Sequence, residues 1–171
     1  MNFSKNIATV AVALALLAAC APEAKEDPAV SAMRAAAEAD SQKIDAVNTL
    51  IEVWDTNEVD RLDAIAVSDY VRRAPDQDAD NLDELKAFIG EVHSMYPDFS
   101  ITNDGAAAGP AGVFVKWTVT GTYMGEGARP VTGSPVNLSG ISLYQFKDGK
   151  IFNELVIFDS GALSAQIAAS E

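Results

Sequence analysis

The carboxyl best placed for proton transfer is Asp159, which ends the apolar run Leu155-Val156-Ile157-Phe158. Burial at such a position raises a carboxyl pKa toward the range where one group both donates and accepts a proton. One carboxyl suffices when the substrate's own conjugation stabilises a carbanion. The same position also suits a cap on a turn or helix starting at Ser160. Asn153 shares the strand face of Asp159 and could orient a substrate carbonyl, whereas Glu154 alternates with them and is not expected to pair with Asp159. Arg73, with Arg72 and Lys116, could hold a carboxylate or other anionic substrate group; the plainer reading pairs these cations with Asp76 or Asp78. His93 could serve as a proton shuttle at a pocket rim, or be a boundary residue of its helix. Tyr70, Tyr123 and Tyr144 could line a cavity, although aromatic residues at strand alternation usually fill cores.

Other chemistries find little support. No Ser lies in a nucleophile-elbow pattern, so a hydrolase triad is not expected. Asp76, Asp78 and Asp80 alternate but lack the glycine and terminal glutamate of an EF-hand. One Cys excludes an intrachain disulfide, and one His leaves no Cys/His set for structural zinc. Lys and Arg total 12 against 25 Asp and Glu, a formal charge of −13, which repels phosphate backbones and makes nucleic acid a poor partner. No metal or cofactor is expected.

The elements that must hold these residues follow from periodicity. The 171 residues suit one domain, and 49% hydrophobic content is enough for a core. From Ala29 to Trp54 there is no Gly or Pro, and Ile44, Val47, Asn48, Ile51 and Trp54 recur at helical steps. Asp60 to Val67 repeats the pattern briefly, and Tyr70 to Arg73 reads as extended. Asp80 or Asn81 can cap a third helix whose stripe is Leu85, Phe88, Ile89, Val92 and Tyr96, and Pro97 ends it. Beyond Pro97 the period becomes two. Phe99 to Asp104, Val113 to Tyr123, Val136 to Phe146 and Ile151 to Asp159 read as strands, with Asp148-Gly149 a tight-hairpin signal. The pattern predicts an α+β domain: three N-terminal helices packed on a curved antiparallel sheet, with a pocket between them. Val113, Val115, Trp117 and Val119 alternate with Phe114, Lys116, Thr118 and Thr120, so both strand faces are partly apolar and the spare one is expected to meet a helix layer or a second subunit, of which a homodimer is the favoured reading.

The N-terminus carries an address. Lys5 precedes the uncharged apolar run Ile7 to Ala19, which is short for a resident membrane helix and reads as a signal peptide. The run ends Leu17-Ala18-Ala19-Cys20, which resembles a bacterial lipobox; the resemblance implies acylation of Cys20 and a lipid-anchored envelope protein. Ala at position 21, rather than Asp, implies the periplasmic side of the outer membrane. The expected organisation is a signal peptide over 1–19, a flexible tether over 20–28 and one domain over 29–171.

Five motifs occur in order: Asp69-Tyr70-Val71, Tyr96-Pro97-Asp98, Trp117-Thr118-Val119-Thr120-Gly121-Thr122, Thr132-Gly133 before a strand, and Asp148-Gly149-Lys150-Ile151 followed by Asp159 with Leu163 and Gln166. With them, residues 44–168 resemble the SnoaL-like polyketide cyclase (ester cyclase) family of the nuclear transport factor 2-like superfamily. The resemblance implies an α+β cone around an apolar pocket that takes a small molecule, and cofactor-free cyclase or isomerase chemistry with an aspartate, matched by Asp159, as acid/base. A non-catalytic binding protein of the same fold is the alternative. The chain departs from the family at Arg73, where a His is frequent, and at Leu155, where a Trp is usual, so its cavity should differ in shape and polarity.

Overall fold

The computed structural model describes residues 27–125 and 131–168; the expected signal peptide, most of the expected tether and Cys20 lie outside them. Helix α1 spans Pro28–Thr56, with Pro at its start and the Asp27 carboxylate accepting from Ala29 N–H at 2.8 Å. It stops at Asn57, whose left-handed φ of 60° directs its N–H to the Val53 carbonyl. The first third of the helix is solvent-exposed, and only the later turns bury a stripe: Val47, Leu50, Ile51, Val53 and Trp54.

The brief second helical pattern is shorter than its periodicity suggests. A 3-10 turn at Val59–Arg61 runs into the single turn α2, Leu62–Ile65, anchored by buried Leu62. Ala66 already belongs to strand β1, Ala66–Arg73, because it pairs with Ile151 of the last strand; tertiary pairing overrides the local helical period. Helix α3, Leu82–Met95, is capped as its sequence indicates, with Asn81 Oδ1 accepting from Glu84 N–H at 2.9 Å and the Glu84 carboxylate accepting from Asp80 N–H at 2.8 Å.

Four more strands follow, β2 (Ser100–Gly109), β3 (Gly112–Tyr123), β4 (Ser134–Lys147) and β5 (Lys150–Phe158), then helix α4, Ser160–Ala168. The sheet order is β1-β5-β4-β3-β2. The expected all-antiparallel sheet is corrected in one place: β1 runs parallel to β5, while the other pairs are antiparallel. Strand β2 also extends past Asp104 to Gly109, because β3 supplies paired partners for an Ala/Gly stretch of weak strand propensity. Asp148 and Gly149, with φ of 51° and 79°, turn β4 into β5 as a tight hairpin.

Helices α1, α3 and α4 cover one face of this sheet, and the main core lies between the two layers. On the inner face, Gly140 of β4 stands opposite Trp117 of β3. A Cβ at Gly140 would fall 2.3 Å from the Trp117 ring, so the absent side chain is what lets the indole lie flat across β4. The outer face is apolar and open: Phe114, Ile141, Leu155 and Ile157 are each between 44% and 61% exposed.

Candidate functional site

A cavity of about 110 Å³ lies between the helices and the inner sheet face. Its walls are mostly apolar, from Ile51 and Trp54 of α1, Val92 of α3, Val119, Leu138, Val156 and Phe158 of the sheet, and Leu163 of α4. Its polar end is made by Arg72, Asp76, Ser142, Tyr144 and Glu154, with the indole of Trp117 alongside.

Glu154 is the centre of that end. The alternation of β5 turns Glu154, Val156 and Phe158 inward, and the carboxylate is 3% exposed. Tyr70 of neighbouring β1 donates its hydroxyl to Glu154 Oε2 at 2.6 Å, and Ser142 of β4 donates to Oε1 at 3.0 Å. Trp117 Nε1–H donates in turn to Ser142 Oγ at 3.1 Å. Three strands and an indole therefore fix one carboxylate in a largely dry site, which is how a buried charge is tolerated. Burial pushes the Tyr70 and Tyr144 hydroxyls well above the usual phenol range, and the charge of Glu154 pushes them further, so both remain protonated donors.

Arg72 comes from the same inward phase of β1 as Tyr70 and is 4% exposed. Its guanidinium lies over Trp54 and Phe88, at 5.6 Å and 5.2 Å from their ring centroids. It donates to both oxygens of Asp76, at 3.0 Å and 3.2 Å, and to the Gln77 carbonyl. Its Nε lies 3.7 Å from Glu154 Oε2. Burial works against its charge, but Glu154 and Asp76 outweigh that and hold its pKa above the ordinary arginine value.

Most residues singled out from the sequence are elsewhere. Asp159 is exposed and its Oδ1 accepts from Ala162 N–H at 2.9 Å, so it caps α4; it follows Leu155 and Ile157 in the outward phase of β5 and does not border the cavity. Asn153 shares that phase and donates to Gln145 at 3.0 Å. Arg73 is also outward, half exposed, and paired with Asp80 at 2.7 Å and Asp78 at 3.9 Å. Lys116 is exposed on the outer face beside Asp104 at 3.3 Å. His93 packs on Phe99 with Nε2 at 2.8 Å from the Trp54 carbonyl, behind the cavity wall rather than on it. Of the tyrosines expected to line a cavity, Tyr144 does so at the polar end, Tyr70 lies behind it and meets Glu154 rather than open space, and Tyr123 does not border it; Arg72 also enters the polar end.

Glu154 and Arg72 were the residues missed as a pair. Two charged residues stand at matching positions of strands that turn out to be neighbours, since Arg72 pairs in register with Glu154. The parallel pairing that unites them is not visible in either segment alone. Among the described residues no group of three His, Cys, Asp or Glu side chains could hold a metal ion.

A helix layer on one face of a five-stranded sheet, with an apolar cavity between them and a buried carboxylate at one end, defines an α+β domain with an internal pocket. The SnoaL-like polyketide cyclase family model matches residues 44–167, and the chain belongs to that family. Solved structures share the fold: a SnoaL-like protein from Jannaschia sp. CCS1 at 17% identity, TM-score 0.69, covering 77% of this chain and 95% of that one. TsrD from Streptomyces laurentii is 18% identical with TM-score 0.68, over 75% and 96% of the two chains. A SnoaL-like polyketide cyclase from Agrobacterium tumefaciens is 14% identical with TM-score 0.61, over 74% and 98%. No curated protein matches the chain in sequence.

Proposed function

We propose that the protein is a cofactor-free acid/base catalyst of the cyclase or isomerase type, acting on a small apolar or carbonyl-containing molecule, with Glu154 as the proton-transferring group. The observation that carries this reading is the burial of the Glu154 carboxylate at the polar end of the cavity, bridged to Tyr70 and Ser142. Glu154 takes a proton from carbon α to a carbonyl, the electron pair passes into the carbonyl oxygen as an enolate, and the protonated Glu154 returns the proton to a conjugated carbon. Family membership supports this class of chemistry. Asp159 is exposed and caps α4, which weighs against that role for it and supports, as the second reading, binding without turnover.

The test uses a β,γ-unsaturated cyclohexenone, whose conversion to the conjugated enone is read by ultraviolet absorbance. Turnover that falls about 100-fold or more in Glu154→Gln supports catalysis. Saturable binding with no turnover and no solvent deuterium exchange at the α-carbon supports the binder instead.

Lipid anchoring at the cell envelope through Cys20 belongs to the same proposal, supported by Leu17-Ala18-Ala19-Cys20 after an apolar run. So does a homodimer, supported by the open apolar face of Phe114, Ile141, Leu155 and Ile157.

A further inference from the structure

We propose that the cavity is built for an organic cation, a small molecule whose protonated amine meets the Asp76 carboxylate while its apolar body lies among aromatic side chains. Three features of the site converge on that ligand. The inference rests on the cavity being the ligand site of the proposed function and narrows the ligand there, but it does not require turnover.

Access comes first. Of the charged residues at the polar end, Arg72 and Glu154 are almost closed off, with side chains 5% and 3% exposed, whereas the Asp76 side chain borders the cavity and is 29% exposed. Each Asp76 oxygen accepts one hydrogen from Arg72, at 3.0 Å and 3.2 Å. A carboxylate oxygen can accept two, so both keep acceptor capacity toward a ligand.

Charge is the second feature. The polar end carries the cation of Arg72 against the carboxylates of Asp76 and Glu154, one positive formal charge against two negative. An ammonium balances the set, whereas a carboxylate ligand adds a like charge where screening by water is weak. The chain as a whole, at a formal charge of −13, draws cations from solution in the same sense. This reverses the anion-holding role expected of the cationic residues, because the arginine that enters the site brings two acids with it.

The third feature is what the walls offer. Donors at the polar end are turned on its own acids and hydroxyls: Tyr70 and Ser142 donate to Glu154, Trp117 donates to Ser142, and the Arg72 Nη atoms donate to Asp76 and the Gln77 carbonyl. The Tyr144 hydroxyl is held by Ser142 and Glu154. An occupant that brings its own donor therefore finds a partner, and one that brings only an acceptor does not. The rest of the lining includes Trp54, Tyr96, Phe99, Trp117 and Phe158, aromatic rings that attract a cation and also pack on an apolar body. Trp54 already holds one cation this way, with the Arg72 guanidinium 5.6 Å from its ring centroid.

The experiment titrates the purified protein at about pH 7 and about 0.15 M salt, where an alkylamine is protonated and long-range attraction is screened. Four probes share one phenyl ring: benzylamine, benzyl alcohol, toluene and phenylacetate. Binding is followed by NMR at the indole N–H groups of Trp54 and Trp117, the two tryptophans of the chain. Protonated benzylamine is expected to bind about tenfold better than benzyl alcohol or toluene, with phenylacetate the weakest. Asp76→Asn should abolish the advantage of the amine and keep toluene binding; where that variant does not fold, the wild-type series decides. Equal affinity for amine and toluene overturns the assignment, as does preference for phenylacetate, or no shift of either indole with any probe. Turnover of the unsaturated ketone without amine preference overturns this inference alone. Amine preference without Glu154-dependent turnover defeats the catalytic reading and leaves this one standing.

Discussion

The Tyr70 hydroxyl and the Glu154 carboxylate meet at 2.6 Å across the parallel strand pair β1–β5, both buried. Their closeness makes a pH signature. Tyr70 and Tyr144 have folded pKa values raised well above 10.0, by burial first and by Glu154 second, so the folded state keeps two protons that the unfolded chain releases. The stability they contribute is therefore complete below about pH 10 and is lost as pH climbs toward the folded values, at about 1.4 kcal/mol per pH unit for each tyrosine. Tyr70→Phe should remove one of these contributions. Denaturant unfolding at successive pH values above 10 should show a shallower decline for the variant; parallel curves would contradict the coupling.

Tyr70→Phe should also destabilise the protein at neutral pH. It leaves Oε2 of a buried carboxylate without its closest donor, a loss of about 1.5–3 kcal/mol for a hydrogen bond to a charged group. Glu154→Gln should be milder than Glu154→Leu, since the amide oxygen can still accept from Tyr70. Urea midpoints at neutral pH check both comparisons.

Gly140 and Trp117 make a second dependent pair. An alanine Cβ at position 140 would lie 2.3 Å from Trp117 Cζ2 and 2.8 Å from the Ile157 carbonyl, and the latter is backbone that cannot rotate away. Gly140→Ala should displace the indole, break its bond to Ser142, and cost about 1–3 kcal/mol. Near-ultraviolet circular dichroism reports the indole directly. An unchanged spectrum with unchanged stability would mean that the close approach is not required.

How much of this was readable in advance depends on the strand. The long helices, the hairpin at Asp148-Gly149 and the strand order in the chain all follow from local signals, because capping residues, Pro97 and turn glycines act within a few positions. The inward face of β5 does not. Leu155 and Ile157 are as apolar as Val156 and Phe158, so periodicity specifies two faces without saying which is buried. That ambiguity placed Asp159 and Asn153 inward and Glu154 outward, the reverse of the structure. On β1 the adjacent Arg72 and Arg73 carry the same ambiguity in one residue step, and only the neighbouring strand resolves it.

Those adjacent arginines should behave oppositely. Arg72→Met strips Asp76 and Glu154 of their buried cation and should cost about 3–5 kcal/mol. Arg73→Met breaks only exposed pairs with Asp78 and Asp80 and should stay within about 1 kcal/mol. Thermal unfolding of both variants in one buffer makes the comparison, and equal losses would refute the assignment of inside and outside.

Asp159 gives a complementary test at the end of β5. Its carboxylate accepts from Ala162 N–H, so Asp159→Ala should cost about 0.5–2 kcal/mol through the lost helix cap, and Asp159→Asn, which can still accept, should cost less. Neither should alter the rate with the unsaturated ketone, because the side chain borders no part of the cavity. A large fall in rate for Asp159→Asn with stability intact would return the acid/base role to the aspartate.

The open outer face yields the last prediction. Ile157 is 61% exposed and Leu155 44%, on a strand whose hydrogen bonds are already taken on both sides by β1 and β4, so any partner must come face to face rather than edge to edge. In the proposed homodimer a second copy would bury Phe114, Ile141, Leu155 and Ile157 against their equivalents, and a lysine at position 157 would set two like charges into that contact. Sedimentation equilibrium at micromolar protein should give a dimer for the wild type and a monomer for Ile157→Lys. Because this side chain lies outside the core, the monomeric variant should keep its cavity and its rate with the unsaturated ketone. A wild type that sediments as a monomer would leave the apolar face without this partner.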